Sequence, residues 1–126
     1  MPKILVVDDL RDSADSLALL FDALGHETMT SYDGQQAVEA AQSFEPDIVF
    51  LDINMPILDG YGAARTLRDE QVDTPPVLVA LTAVSGPDAK RRADEAGFDF
   101  YVIKPADFNV LITLVDDLSR RIDQRS

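Results

Sequence analysis

The residues best placed to do chemistry in this chain are acids that follow unbroken apolar runs. Ile4-Leu5-Val6-Val7 leads into Asp8-Asp9, and Ile48-Val49-Phe50-Leu51 leads into Asp52. Runs this short and this apolar read as strands buried on both faces, as in a parallel sheet. A carboxylate at the end of such a strand sits at the rim of the core, half out of water. Two further polar residues follow later runs, Thr82 after Val77–Leu81 and Lys104 after Phe100–Ile103. In a parallel sheet these strand ends all point the same way, so residues distant in sequence converge. Three carboxylates in one pocket repel each other and require a cation. Oxygen ligands without His or Cys suit Mg2+, with Mn2+ as a second choice, rather than zinc. Metal, lysine and hydroxyl around a carboxylate meet the needs of phosphoryl transfer, where stabilising spread charge matters more than shuttling protons. Asp52 is then the nucleophile and becomes an aspartyl phosphate.

Five strand–helix alternations have to position these groups. Lys3–Val7 reads as the first strand, and the helix after it takes Asp12 or Ser13 as its N-cap. Its apolar positions Ala14, Leu17, Ala18, Phe21 and Leu24 recur at helical spacing, and Gly25 ends it. Glu27–Tyr32, Asp47–Leu51, Val77–Leu81 and Phe100–Ile103 are the later strands. Helices are expected over Gln35–Ser43, about Tyr61–Glu70, from Pro87 to about Ala96, and from about Phe108, where Val110, Leu111, Leu114, Val115 and Leu118 form the apolar stripe. Asp59-Gly60 shapes the turn into the third helix. Such alternation implies an α/β fold, a doubly wound parallel sheet with right-handed crossovers and helices on both faces. Ligands of such folds bind beyond the carboxyl ends of the strands.

The bulk composition narrows the class. A chain of 126 residues, 46% hydrophobic and 27% charged, suits one domain with one core. A receiving domain over 1–119 and a polar tail over 120–126 are expected. The net charge of −12 argues against direct binding of a nucleic-acid backbone. The one dense basic cluster, Lys90-Arg91-Arg92, is followed closely by Asp94 and Glu95 and reads as a solvated helix face. No apolar stretch approaches the ~20 residues of a membrane span, and the N-terminus has no secretory pattern, so a cytoplasmic location is expected. His26, the only histidine, follows the helix-ending Gly25 in a short turn and reads as solvated. A phosphodonor histidine must therefore come from a partner.

Taken singly, each site residue has an ordinary reading: a loop acid, a strand threonine, a surface lysine, a half-buried Tyr101. Taken together, in order, they resemble the receiver domain of response regulators in two-component signalling. The matching stretches are Ile4-Leu5-Val6-Val7-Asp8-Asp9, Leu51-Asp52-Ile53-Asn54-Met55-Pro56, Asp59-Gly60, Leu81-Thr82-Ala83, Ala96-Gly97 and Lys104-Pro105. They span Lys3 to about Leu118. The resemblance implies a flavodoxin-like (βα)5 sheet of strand order 2-1-3-4-5. It implies that Asp52 takes a phosphoryl group from a histidine kinase or a histidine phosphotransfer protein. Asp9 would ligate Mg2+ directly, Asp8 through water, and Asn54 through its backbone carbonyl. Lys104 would pair with the phosphoryl group, Thr82 would move to hydrogen-bond it, and Tyr101 would turn inward. The Lys104–Pro105 bond would be cis. The switched surface would be the face of the fourth helix, fifth strand and fifth helix, where a downstream protein docks. Such a domain catalyses its own phosphorylation and slow dephosphorylation without being a conventional enzyme; Asn54 and Val84 hold the positions that influence the reset rate.

Two other readings compete. An aspartyl-phosphate hydrolase also uses a strand-end aspartate, lysine, threonine and Mg2+, but wants a second acid where this chain has Asn54. A flavin-binding or phosphate-independent module lacks one of the acids or the lysine, or carries a Ser/Thr/Gly-rich loop after the first strand. Here that loop is Asp8-Asp9-Leu10-Arg11-Asp12, which repels phosphate unless metal is bound. With only a short polar tail after the fifth helix, a stand-alone regulator or a receiver from a hybrid kinase or longer regulator is expected.

Overall fold

The convergence of the acids follows from the strand register in the computed structural model, which describes residues 2–53, 59–69, 75–83 and 86–123. Asn54, Met55, Pro56 and Val84 lie outside the described residues. The elements alternate as β1 (Lys3–Val7), α1 (Arg11–Ala23), β2 (Glu27–Ser31), α2 (Gly34–Phe44), β3 (Ile48–Asp52), α3 (Gly60–Asp69), β4 (Val77–Thr82), α4 (Pro87–Ala96), β5 (Phe100–Ile103) and α5 (Phe108–Asp123). All described strands are parallel, in the order β2-β1-β3-β4-β5. Composition dictates that order of burial. Every residue of β3 and β4 is buried, which only an apolar run flanked on both faces tolerates. β2, with Glu27, Thr28 and Thr30, alternates exposure as an edge strand does.

Alternate side chains feed two cores. Leu5, Val7, Val49, Leu51, Leu78 and Ala80 face α2, α3 and α4, while Ile4, Val6, Ile48, Phe50, Val79 and Leu81 face α1 and α5. Phe50 stacks on Phe21 of α1 with ring centroids 5.1 Å apart. Each fully buried side chain of this size contributes roughly 1.5–3 kcal/mol, so these strands are the most firmly held part of the molecule.

Local details depart from expectation where side chains find partners across the fold. α1 begins at Arg11, with Leu10 as N-cap and no side-chain cap, rather than at Asp12 or Ser13. The Asp8 carboxylate accepts from the Leu10 amide at 3.0 Å and so turns the chain straight into the helix. His26 is buried, 4% exposed, rather than solvated. Its Nδ1 lies 3.2 Å from the Pro2 carbonyl oxygen, and its ring meets Phe21 edge-on. A turn closed by the His26 amide on the Phe21 carbonyl folds the imidazole inward. α5 runs to Asp123, over residues that composition assigns to a polar tail, because Leu118 and Ile122 still pack on the α1–α5 core.

The far end of the sheet from the acids is tied by Arg68 of α3. Its guanidinium donates to the Gly97 carbonyl at 2.8 Å, to the Pro76 carbonyl at 2.9 Å and to the Asp99 carboxylate. Asp99 in turn accepts from the Leu78 amide at 2.9 Å. One side chain thus joins α3, the entry to β4 and the end of α4. Arg68→Ala is expected to cost about 2 kcal/mol, read as a lower urea midpoint at unchanged slope; an unchanged midpoint would show that this end needs no clasp.

Candidate functional site

Pair register brings the expected residues together. Val7 is level with Leu51, so Asp8, one step on, lies beside Asp52. Asp52 is level with Leu81, and Thr82 with Ile103, which places Thr82 one step and Lys104 two steps further out on the other side. Backbone bonds continue the ladder past the strand ends: Asp8 N to Ser31 O at 3.1 Å, Ile53 N to Leu81 O at 3.1 Å and Lys104 N to Thr82 O at 2.7 Å. The Lys104–Pro105 peptide is cis, as expected.

The side chains then meet. Lys104 Nζ lies 3.1 Å from Asp8 Oδ2 and 3.4 Å from Asp52 Oδ2. Asp8 and Asp52 are 4% and 6% exposed and Thr82 is 1% exposed, whereas Asp9 is open to solvent. Carboxylate oxygens of Asp8, Asp9 and Asp52 all fall within 4.8 Å of one another. Three carboxylates and one ammonium leave two net negative charges in a half-enclosed space. Burial pulls the Lys104 pKa down, but attraction to Asp52, then the hydrogen bond and charge of Asp8, outweigh it. The lysine therefore stays above its ordinary 10.5 and is charged whenever the acids are. The residues present fit a small hard cation: donors are all oxygen, one is exposed for entry, and the surplus charge is negative.

Tyr101 is half-buried on β5 and packs against the core shared by α2, α3 and α4. Burial raises its hydroxyl pKa, and neighbouring Tyr61 raises it further, so it is neutral at physiological pH. Arg92 stacks over the Tyr61 ring, 4.3 Å from its centroid. Part of the basic cluster is thus engaged with α3.

Beside the acids lies an apolar groove between α1 and the start of α5, of about 600 Å3, lined by Leu10, Ser13, Leu17, Pro105, Ala106 and Phe108 among others. Leu10 and Phe108 are more than half exposed, at 62% and 53%. Periodicity does not single them out; the available signal was an apolar residue directly after each of two charged strand ends, Asp8-Asp9 and Lys104-Pro105-Ala106-Asp107. Gly60, a turn former by its place after Asp59, also lies close against the Asp52 backbone.

Comparison with known proteins agrees with this geometry. The family model described as the response regulator receiver domain matches residues 4–116. The chain is 39% identical over 120 residues to the transcriptional regulatory protein PrrA of Mycobacterium tuberculosis, covering 95% of this chain and 51% of that protein. The chain spans about half the length of the curated relatives it matches first. Among solved structures it resembles the receiver domain of the Francisella response regulator 1452, with TM-score 0.87 at 30% identity, covering 97% of this chain and 99% of that one. It also resembles the signal receiver domain of a signal transduction histidine kinase from Syntrophus aciditrophicus, with TM-score 0.83 at 31% identity, covering 94% and 89%. Among the described residues no helix is long and apolar enough to cross a membrane.

Proposed function

This chain belongs to the response regulator receiver family, and from that membership we propose that Asp52 accepts a phosphoryl group from a phosphohistidine on a partner kinase or phosphotransfer protein. The observation that supports it most is Lys104 Nζ within 3.4 Å of two buried carboxylates that share a pocket with Asp9. An Asp52 oxygen attacks phosphorus, the P–N bond to the donor breaks, and the imidazole leaves with the electron pair and takes a proton from solvent. Asp8, Asp9 and Asp52 would hold Mg2+, with the Asn54 carbonyl as a further ligand outside the described residues. When bound, Mg2+ neutralises charge on the transferring phosphoryl oxygens. Lys104 is already charged and in place to pair with the new phosphoryl group, and Thr82 is the hydroxyl one step beyond the level of Asp52 on β4. Attack of water on the acyl phosphate releases inorganic phosphate and restores the carboxylate.

The exposed Leu10 and Phe108 line the groove that also borders Asp8 and Lys104, and suit an amphipathic helix carrying the donor histidine. Output runs through Thr82 and Tyr101 to the face of α4, β5 and α5, as a shift of population between two states that bind a downstream protein differently. Tyr101 there is half-buried and Ile103 is 48% exposed.

The test is intact-protein mass after incubation with Mg2+ and acetyl phosphate, on wild type and Asp52→Asn. One base-labile phosphoryl adduct is expected on wild type and none on the variant. An adduct that survives Asp52→Asn would move the acceptor elsewhere. Asp52→Asn should also stabilise the metal-free protein by about 1 kcal/mol, since it removes two repulsions at the loss of one attraction. Rapid turnover of a small phosphomonoester would instead indicate a hydrolase.

A further inference from the structure

Gly60 opens α3, and its amide donates to the Ile53 carbonyl at 2.8 Å. A Cβ built on Gly60 would lie 2.5 Å from the Asp52 carbonyl oxygen, 2.5 Å from Ile53 Cα and 3.1 Å from the Asp52 carbonyl carbon. All three are backbone atoms, so no side-chain rotation relieves the contact. Gly60 is therefore required by space: the first turn of α3 rests directly on the peptide that carries Asp52.

We propose that this turn is a positioning element for the phosphoacceptor, with Gly60 as the residue that sets the location of the Asp52 carboxylate. The proposal rests on Asp52 being the acceptor. α3 has no travel with which to retreat. Tyr61, Ala63, Ala64 and Leu67 are buried in the α2–α4 core. Asp59 caps the first turn, its Oδ1 accepting from the Gly62 amide at 2.9 Å and its carbonyl from Ala63 at 2.9 Å. β3 is held by β1 up to Leu51 and by β4 up to Asp52, and Ile53 by one bond to Leu81. The Asp52–Ile53 peptide at the strand's free end is what must give, by roughly 1 Å to reach ordinary contact. Misplacement of that size is enough to slow a positioned reaction on the order of 10²-fold. Asp8 and Asp9 sit on another strand end and keep their places.

The experiment compares wild type, Gly60→Ala and Gly97→Ala, each well below its melting temperature. The readouts are fold by circular dichroism, Mg2+ affinity by calorimetry, and the rate of adduct formation with acetyl phosphate by intact mass. Gly97→Ala strains a left-handed residue and meets the Arg68 side chain at the opposite end of the sheet, so it is the control for destabilisation alone. Gly60→Ala is expected to stay folded and to lose about 10²-fold in adduct rate even at saturating Mg2+, with weakened Mg2+ binding because Asp52 shares the metal site, while Gly97→Ala reacts and binds Mg2+ like wild type. A wild-type rate in Gly60→Ala, or equal slowing in both variants, overturns the proposal. If Gly60→Ala does not fold, Asp59→Ala decides. Its loosened cap should slow adduct formation about tenfold with the fold retained, and an unchanged rate overturns the proposal. Absence of an adduct on wild type removes the acceptor assignment itself, and the positioning role falls with it.

Discussion

Lys104→Met is expected to cost the metal-free protein about 3 kcal/mol at neutral pH, because it leaves two buried carboxylates facing each other with their shared cation gone. Methionine keeps most of the aliphatic stem, so the effect isolates the charge. Asp8 and Asp52 are the partners at 3.1 and 3.4 Å, and neither has enough exposure to recover hydration where it stands. The pH dependence has a definite sign. The folded-state pKa of Lys104 is raised above 10.5, so its contribution is complete below 10.5 and disappears as pH rises through the folded value. Urea unfolding of wild type and variant should therefore give a constant gap from neutral pH up to 10.5 that closes as pH rises above it. Equal stabilities at pH 7 would remove Lys104 from the electrostatics of the pocket. The variant should also form the phosphoryl adduct on the order of 10²-fold more slowly, as expected when a preorganised cation is removed from a developing anion.

Chelation of Mg2+ is the second change with a large expected effect. Adduct formation with acetyl phosphate should fall at least about 100-fold in excess EDTA, because Lys104 offsets only one of the three carboxylate charges gathered there. Mg2+ at 100 times its Kd should stabilise the fold by about 2.7 kcal/mol, a rise in Tm of roughly 10 °C for a chain of this length. Asp9→Ala should abolish that rise with little loss of metal-free stability, since Asp9 is exposed. Asp8→Ala should abolish it and also destabilise, since Asp8 is buried, accepts from Leu10 N and holds Lys104. A full Mg2+ response in Asp9→Ala would remove that residue from the metal site.

Residues announce the structure where one physical signal decides the outcome. Unbroken apolar runs mark the central strands because only burial on both faces tolerates them. The acid after each run inherits its location from the strand. Gly25, Pro87 and Gly97 mark helix ends because backbone geometry restricts them wherever they occur. Caps were harder to place. α1 starts from Leu10 because Asp8, outside the helix, takes the Leu10 amide, a bond that no pattern of capping residues announces. His26 failed for a related reason: a lone histidine after a glycine is usually wet, and only the return of the chain past Pro2 buries it.

Sequence alone determined that the chain is an alternating α/β domain with acids, a threonine and a lysine at the carboxyl ends of parallel strands. Local periodicity and chain direction suffice for that. The tertiary structure decided which of those ends are neighbours, and so that one ammonium bridges Asp8 and Asp52, residues 44 positions apart. It also decided that Gly60 lies against the Asp52 peptide and that Leu10 and Phe108 stay exposed beside the pocket. Strand order, register and close backbone approach are set by how all the elements pack at once, and no single stretch of residues encodes them.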